Sequence, residues 1–424
     1  MILRYESYKS SGIPWIGDIP SHWVIKKNKF LITERKALVG KDAPKFKLLS
    51  LTLQGVILRD MENPKGKFPA EFDTYKQVTP NDLIFCLFDV EETPRTVGLA
   101  KHYGMITGAY TVTQCNQHVS SAYYYYYYLS LDEGKQLRSL YTGLRNVISR
   151  DAFFNLAIPF PPREEQDSIV TFLDQKIREI DAAIAKKERL IELLHEQKEI
   201  LITTAVTQGL NSRAPMKICE IVGIPEIPAH WQVVSNRRIF REKAKKYRGE
   251  SLPPLSLSQK SGLIPTDEME ERSLKTSSFE HFRICRKDDL VLNRFKAHLG
   301  VFFAAKQDGV ITFHYGIYTP GPNVSSKYFE LLFHTRSYCG IYAGASNGMT
   351  VGLQNLSNQS FYDIKSIFPP YEEQLLIVKE VELLESKYQL LVTSIEKECN
   401  ELSDFKKVTI ASAVLGKLKV SEVK

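Results

Sequence analysis

Two stretches of the chain keep apolar residues on a seven-residue repeat far longer than an ordinary surface helix does. The first carries Leu173, Ile177, Ile180, Ile184, Ile191, Leu194, Leu201 and Ala205, with Lys187 and Lys198 filling two slots of the seam. The second carries Ile377, Val381, Leu384, Tyr388, Leu391, Ile395, Leu402 and Phe405. Steps of three and four sustained over several heptads predict coiled-coil helices. A Pro-Pro pair precedes each stretch; it forbids a helix running through but can open one. Glu164-Glu165 and Glu372-Glu373 then place acid in the first turn, where the helix dipole favours it. Gly209 and Gly416 supply the stops. Each helix is then about 45 residues, or roughly 65–70 Å. Antiparallel pairing of the two buries both seams at once. Packing of each helix on its own domain, or on a partner chain, is the alternative.

The remaining residues mix short apolar runs with turn signals. FKLLSLTL, DLIFCLF and GAYTVTQC read as strands, as do their respective counterparts in the second half, PPLSLS, DLVLNRF and GVFFAA. Lys26 to Lys36 and Arg237 to Lys246 read as basic helical segments. The run Tyr123 to Tyr128 resembles a strand by composition. The run Tyr328 to Phe333 looks more helical, and a helix is expected for both.

The chain is written twice. Ile19-Pro20-Ser21-His22-Trp23 returns as Ile227-Pro228-Ala229-His230-Trp231, an offset of 208 (231 − 23). Pro161-Pro162-Arg163-Glu164-Glu165-Gln166 returns at the same offset as Pro369-Pro370-Tyr371-Glu372-Glu373-Gln374. Ala205-Val206 returns as Ala413-Val414. Weaker echoes drift in register between these anchors, as small insertions and deletions would make them. A tandem duplication follows, with one fold used twice. The expected class is α+β: two similar α/β domains, residues 1–160 and 211–368, with long helices at 161–210 and 369–424.

Composition changes this picture little. Hydrophobic residues are 43% and charged residues 25%, as in folded soluble domains, and 424 residues fit two to four of them. Lys plus Arg outnumber Asp plus Glu by 56 to 49, a mild excess compatible with a polyanionic partner. The six cysteines form no CxxC pair and no zinc-ligand spacing, which reads as free thiols in a reducing compartment. The N-terminus shows no apolar secretion signal, and no apolar run reaches the ~20 residues of a membrane span. A cytoplasmic location is expected.

The openings GIPWIGDIPSHW and GIPEIPAHW, each followed by a domain and then by IPFPPREEQ or IFPPYEEQ leading into a long helix, closely resemble the specificity subunits of type I restriction-modification systems. The resemblance covers essentially the whole chain. It implies that each globular unit is a target recognition domain reading one half of a split DNA site, with the helices as a spacer. It implies two methyltransferase subunits and motor-nuclease restriction subunits as partners. It also implies no catalytic site or bound cofactor in this chain; S-adenosylmethionine, ATP and Mg would belong to the partners. The second opening departs from the first by reducing WIGD to Glu226.

Base edges are read by Arg, Lys, Asn, Gln and His on protruding elements. The candidates in the first half are Gln54, Arg59, Arg95, Lys101 and His102, with Arg145 and Arg150 as phosphate contacts. In the second half the matching positions are Gln259 and Lys260, then Arg294, Lys296 and His298, with His314 and Tyr315 further on. The runs Lys26-Lys27-Lys29 and Arg237 to Arg248 could track a DNA backbone. Trp23 and Trp231 read as core anchors rather than base-stacking residues. Pro162, Glu165, Gln166, Pro370, Glu373 and Gln374 read as capping and partner-docking residues, because no histidine, metal cluster or nucleophile recurs beside them.

Two other functions compete. A methyltransferase is disfavoured: Phe368-Pro369-Pro370-Tyr371 only superficially resembles an Asp/Asn-Pro-Pro-Tyr loop, and phenylalanine cannot hydrogen-bond a target amine. No Gly-rich cofactor loop or Walker lysine accompanies it. A non-DNA coiled-coil scaffold would explain the helices but not the basic segments.

Overall fold

The computed structural model describes residues 4–60, 72–141, 146–242, 245–259, 261–269, 281–347 and 355–420. The chain divides into two compact units, residues 1–188 with 396–424, and residues 189–395.

Unit 1 is built on a four-stranded antiparallel sheet of β1 (Ile32–Glu34), β2 (Leu83–Phe85), β3 (Val97–Leu99) and β4 (Thr111–Cys115), ordered β1-β4-β2-β3. Unit 2 repeats it with β5 (Phe240–Glu242), β6 (Leu290–Asn293), β7 (Phe302–Ala304) and β8 (Tyr315–Pro320), ordered β5-β8-β6-β7. The central strands are buried on both faces and read as unbroken apolar runs, Leu83-Ile84-Phe85 and Leu290-Val291-Leu292. Each unit adds a tight hairpin, Leu49–Thr52 with Gly55–Leu58 and Leu255–Ser258 with Gly262–Pro265.

The tyrosine run forms helix α1 (Ser121–Glu133), and helix α3 (Ser326–Phe333) is its counterpart. Ser120 and Ser325 cap them by accepting hydrogen bonds from the Tyr123 and Tyr328 amides. Tyr123, Tyr124, Tyr127 and Tyr128 are fully buried. A helix apolar all round is a core helix, so these rings pack and do not meet a nucleic acid.

Helix α2 spans Arg163–Gln208 and helix α4 spans Tyr371–Val414, at 46 and 44 residues. In unit 1 they run antiparallel: Ile169 and Leu173 share a core with Ile410, Ala413 and Val414. Asp181 pairs with Lys406 at 2.7 Å and Lys187 with Glu398. In unit 2 the same arrangement brings Val206 against Ile377 and Val381. The Tyr123 hydroxyl donates to the Val414 carbonyl at 3.0 Å, and the Tyr328 hydroxyl to the Val206 carbonyl at 2.8 Å. So each long helix starts in one unit and contributes its last turn to the core of the other. Gly209 and Gly416 end the helices with positive φ. A Cβ on Gly416 would lie 2.4 Å from Pro20, which leaves no room for a side chain, and one on Gly209 would press on Trp231 at 3.2 Å.

The structure corrects the sequence reading in three places. Leu201, Leu391 and Phe405 are exposed, and the seam runs instead through Ile202, Val392 and Lys406. A straight helix drifts about 20° per heptad, and two successive steps of four restore the seam in each helix. The expected basic helices are mostly strand and turn: Val24–Lys27, a 3-10 turn at Asn28–Phe30 and then β1, and in the repeat a single turn, Asn236–Ile239, before β5. The buried Asn28 and Asn236 open these short turns and donate their amides to the Phe153 and Phe361 carbonyls. Finally, GVFFAA forms an edge strand whose counterpart is Val97–Leu99; GAYTVTQC corresponds to β8.

Candidate nucleic-acid interface

The PPxEEQ segments are internal latches. Pro162 accepts hydrogen bonds from the Glu165 and Gln166 amides and so starts α2; Pro370 does the same for Glu373 and Gln374. Glu165 accepts from the buried Trp23 indole at 3.0 Å, lies 2.8 Å from His22 Nε2, and bonds the Tyr5 hydroxyl. Burial and the Glu165 carboxylate push the Tyr5 phenol well above its ordinary pKa, so it stays a donor. Glu373 holds Trp231 at 2.7 Å and His230 at 2.6 Å. Gln166 is fully buried, accepting from the Ser120 amide at 2.8 Å and donating to the Pro161 carbonyl at 2.9 Å. Gln374 does likewise with Ser325 and Pro369, both at 2.9 Å. Partner docking therefore does not hold for the two glutamines, whose polar atoms are used inside the fold. The exposed Pro162 and Pro370 remain accessible. Trp23 and Trp231 are core anchors, each with its N–H satisfied.

Three candidate arginines are tied to carboxylates. Arg95 lies 3.0 Å from Glu133 and 3.5 Å from the buried Asp132. Arg294 lies 2.9 Å from Glu242 and donates to Asn358 at 2.6 Å. Arg150 pairs with Glu34. Glu34 and Glu242 are themselves a repeated pair at the 208 offset, a signal the sequence reading did not use. An arginine held this way, with little exposure at Arg95 and Arg294, would have to break its ion pairs to reach a base. These two fit a role in holding their loops.

Other candidates stay outward. Gln54 and Gln259 sit in the tips of the two hairpins and are exposed; Arg59 is half-buried at the end of the first. Lys101, His102, Lys296 and His314 are exposed, whereas His298 is half-buried with its Nδ1 enclosed. Arg145 and Lys260 lie outside the described residues.

Around His314 the structure assembles a surface that the sequence did not reveal. His281, Phe313, His314 and Phe295 form a chain of rings with centroid distances of 6.0, 3.9 and 6.5 Å. Phe313 and Phe295 are 45% and 48% exposed, and Lys296 follows directly. Rings left open to water beside a cation suit the faces and methyl groups of nucleobases. The equivalents of Phe313 and His314 in unit 1 are Gly108 and Ala109, so the two units differ here.

The register of the repeat also changes. Ala100-Lys101-x-x-Gly104-x-Ile106-Thr107 returns as Ala305-Lys306-x-x-Gly309-x-Ile311-Thr312, at an offset of 205. Lys101 therefore corresponds to Lys306, and not to Lys296. Aligning on the Gly and Ile-Thr positions would have found it.

Cys115 lines an open depression with Thr33, Gln114, Asn116, Gln117 and His118. Burial pushes its thiol up to about 11, so it is no nucleophile. Among the described residues no group of three or more His, Cys, Asp or Glu could hold a metal ion, and no helix is long and apolar enough to cross a membrane.

Residues 97–193 match the sequence model of a family described as the type I restriction modification DNA specificity domain. A curated relative, the type I restriction enzyme MjaVIII specificity subunit of Methanocaldococcus jannaschii, is 31% identical over 106 residues. That match takes in 25% of this chain and 23% of the relative, so the chain aligns with about a quarter of it. Two solved structures share the fold over nearly the whole chain. One comes from work on complex assembly and conformational transition of the type I R-M system, with a TM-score of 0.62 and 14% identity, covering 93% of this chain and 98% of that one. The other is the HsdS subunit of Thermoanaerobacter tengcongensis, with a TM-score of 0.53 and 14% identity, covering 94% and 98%.

Proposed function

We propose that this chain is a specificity subunit of a type I restriction-modification system, recognises a bipartite DNA target, one half-site per unit, and directs methyltransferase and restriction subunits to it. The observation that carries this reading is the exact reuse of one framework with divergent outer loops. The latches, caps and helix-end contacts repeat residue for residue, at Trp23 and Trp231, Ser120 and Ser325, and Tyr123 and Tyr328. Outward side chains at several matched positions do not repeat: Tyr103 is matched by Asp308, and Ala109 by His314. Two like scaffolds with unlike faces suit two different half-sites.

In this reading α2 and α4 set the distance between half-sites, which must follow the helical repeat of the duplex, about 34 Å per turn. Gln54, Arg59, Lys101 and His102 face the first half-site; Gln259, Lys296 and His314 face the second. The chain carries out no chemistry itself. S-adenosylmethionine, ATP and Mg are held by the partner subunits, and the exposed Pro162 and Pro370 at the starts of the long helices are where those subunits dock.

Exchange of residues 1–160 for the corresponding domain of another family member tests the reading. One half of the methylated motif should change, with the other half and the spacing retained. A swap that altered both halves together would refute it.

A further inference from the structure

The duplication aligns the chain with itself, and identical residues in the two units can be sorted by what they do. Over Val97 to Tyr128 and its repeat, nearly every identical pair has a structural task. Ala100 and Ala305 are buried, and so are Ile106 and Ile311. Gly104 and Gly309 lie where a Cβ would come within 2.4 Å of the Lys47 carbonyl or of Leu255. The carbonyls of Thr107 and Thr312 close the same turn onto the amides of Tyr110 and Tyr315, at 3.2 and 3.3 Å. Ser120 and Ser325 cap helices, and the hydroxyls of Tyr123 and Tyr328 hold the last turn of a long helix.

Lys101 and Lys306 are the exception. Both are exposed, on the turn that follows β3 and β7. Neither has a hydrogen bond or ion pair within the described residues. The backbone beneath each is fixed twice: the Ala100 amide donates to the Asp82 carbonyl and the Asn81 amide to the Ala100 carbonyl, and Ala305 repeats both bonds with Asp289 and Asp288. Each ammonium thus stands on a doubly hydrogen-bonded turn, with no partner among the described residues, at the same place in both units. The residues beside it are not shared: His102-Tyr103 in one unit, Gln307-Asp308 in the other, with Asp308 turned onto Arg286 at 2.6 Å.

We infer that Lys101 and Lys306 are phosphate anchors common to the two units, each fixing the DNA backbone of its own half-site. The inference rests on the DNA-reading role proposed above and adds a division of labour to it. A contact needed by both units regardless of sequence falls on a residue both keep, and phosphate is the part of DNA that every half-site shares. Base reading falls on the outward residues that differ.

The test is the salt dependence of binding by the full chain to a fluorescein-labelled duplex of mixed sequence, about 40 base pairs long. Each phosphate contact contributes about 0.9 to the slope of log K against log salt. K101A and K306A should each lower the slope by about 0.9, and the double variant by about 1.8. Lys101→Arg with Lys306→Arg should restore it. Lys379→Ala, an exposed lysine on α4, should leave it unchanged. Unaltered thermal melting would show that both variants fold, as expected for side chains without partners. A steep wild-type slope that the double variant leaves intact overturns the anchors but spares the DNA-reading role; an equal drop in Lys379→Ala overturns them too, because the effect is then one of net charge. Wild-type binding without salt dependence overturns the DNA-reading role and the anchors with it.

Discussion

Replacing Gln166 by methionine keeps the volume of the side chain and removes both of its hydrogen bonds. The Ser120 amide and the Pro161 carbonyl, now 2.8 and 2.9 Å from the glutamine, would be left in a fully buried place with nothing to bond. Each such orphaned group costs about 1–3 kcal/mol, so the variant should lose roughly 2–6 kcal/mol. That is a large share of the ~5–15 kcal/mol that holds a domain folded. The damage should also be local, because Ser120 is the cap of α1 and Pro161 precedes α2. Hydrogen exchange read by mass spectrometry should show the peptide containing Ser120 exchanging at least about tenfold faster, with the urea midpoint lowered. Gln374→Met repeats the experiment in unit 2, where the Ser325 peptide should respond and the Ser120 peptide should not. Midpoints and protection unchanged to within about 0.5 kcal/mol would refute the latch. Normal stability with lost methyltransferase binding would return Gln166 to partner docking.

Three further outcomes are expected. Leu391→Ala should shift stability by less than about 0.5 kcal/mol, while Val392→Ala should cost about 1–2 kcal/mol, because Leu391 is 50% exposed and Val392 only 6%; thermal melting of the two variants decides whether the seam is placed correctly. Cys115, with its thiol pushed up to about 11 by burial, should react with iodoacetamide at pH 8 roughly a hundredfold more slowly than a free thiol, and faster as pH rises towards 11 because only the thiolate attacks; peptide mapping after timed labelling would reveal a contradictory, ordinary rate. Phe313→Ala should weaken duplex binding about tenfold or more while leaving the salt slope unchanged, since a ring contacts bases and not phosphate; a fall in slope with no loss at fixed salt would count against the ring surface.

What the sequence made legible follows from which interactions are local. The duplication, the tyrosine helix and both long helices rest on short-range patterns: a serine cap, a proline start, a glycine stop and a heptad. The exact seam was not legible, because 3.6 residues per turn do not divide seven, and the correction at Val392 depends on which neighbour the helix faces. The roles of Arg95 and Arg294 were not legible either. Their carboxylate partners, Asp132 and Glu242, are distant in sequence and approach only in the folded sheet and helix layers. The same holds for Glu165, which reads as a helix-start acid until Trp23 and His22 are brought onto it. The ring chain at His314 joins residues from two loops and the 3-10 helix Arg294–Leu299, and no one-dimensional pattern links them. Lys306 is a different case: its signal is present in the repeated Ala-Lys-x-x-Gly-x-Ile-Thr, and matching Lys101 to Lys296 masks it.

Genome-wide methylation sequencing with the gene present and deleted tests the central claim most directly. A chain that reads two half-sites through two like units predicts the loss, on deletion, of one split motif: two short specific halves separated by a fixed unspecified spacer. Unchanged methylation, or loss of a single continuous motif, would contradict it.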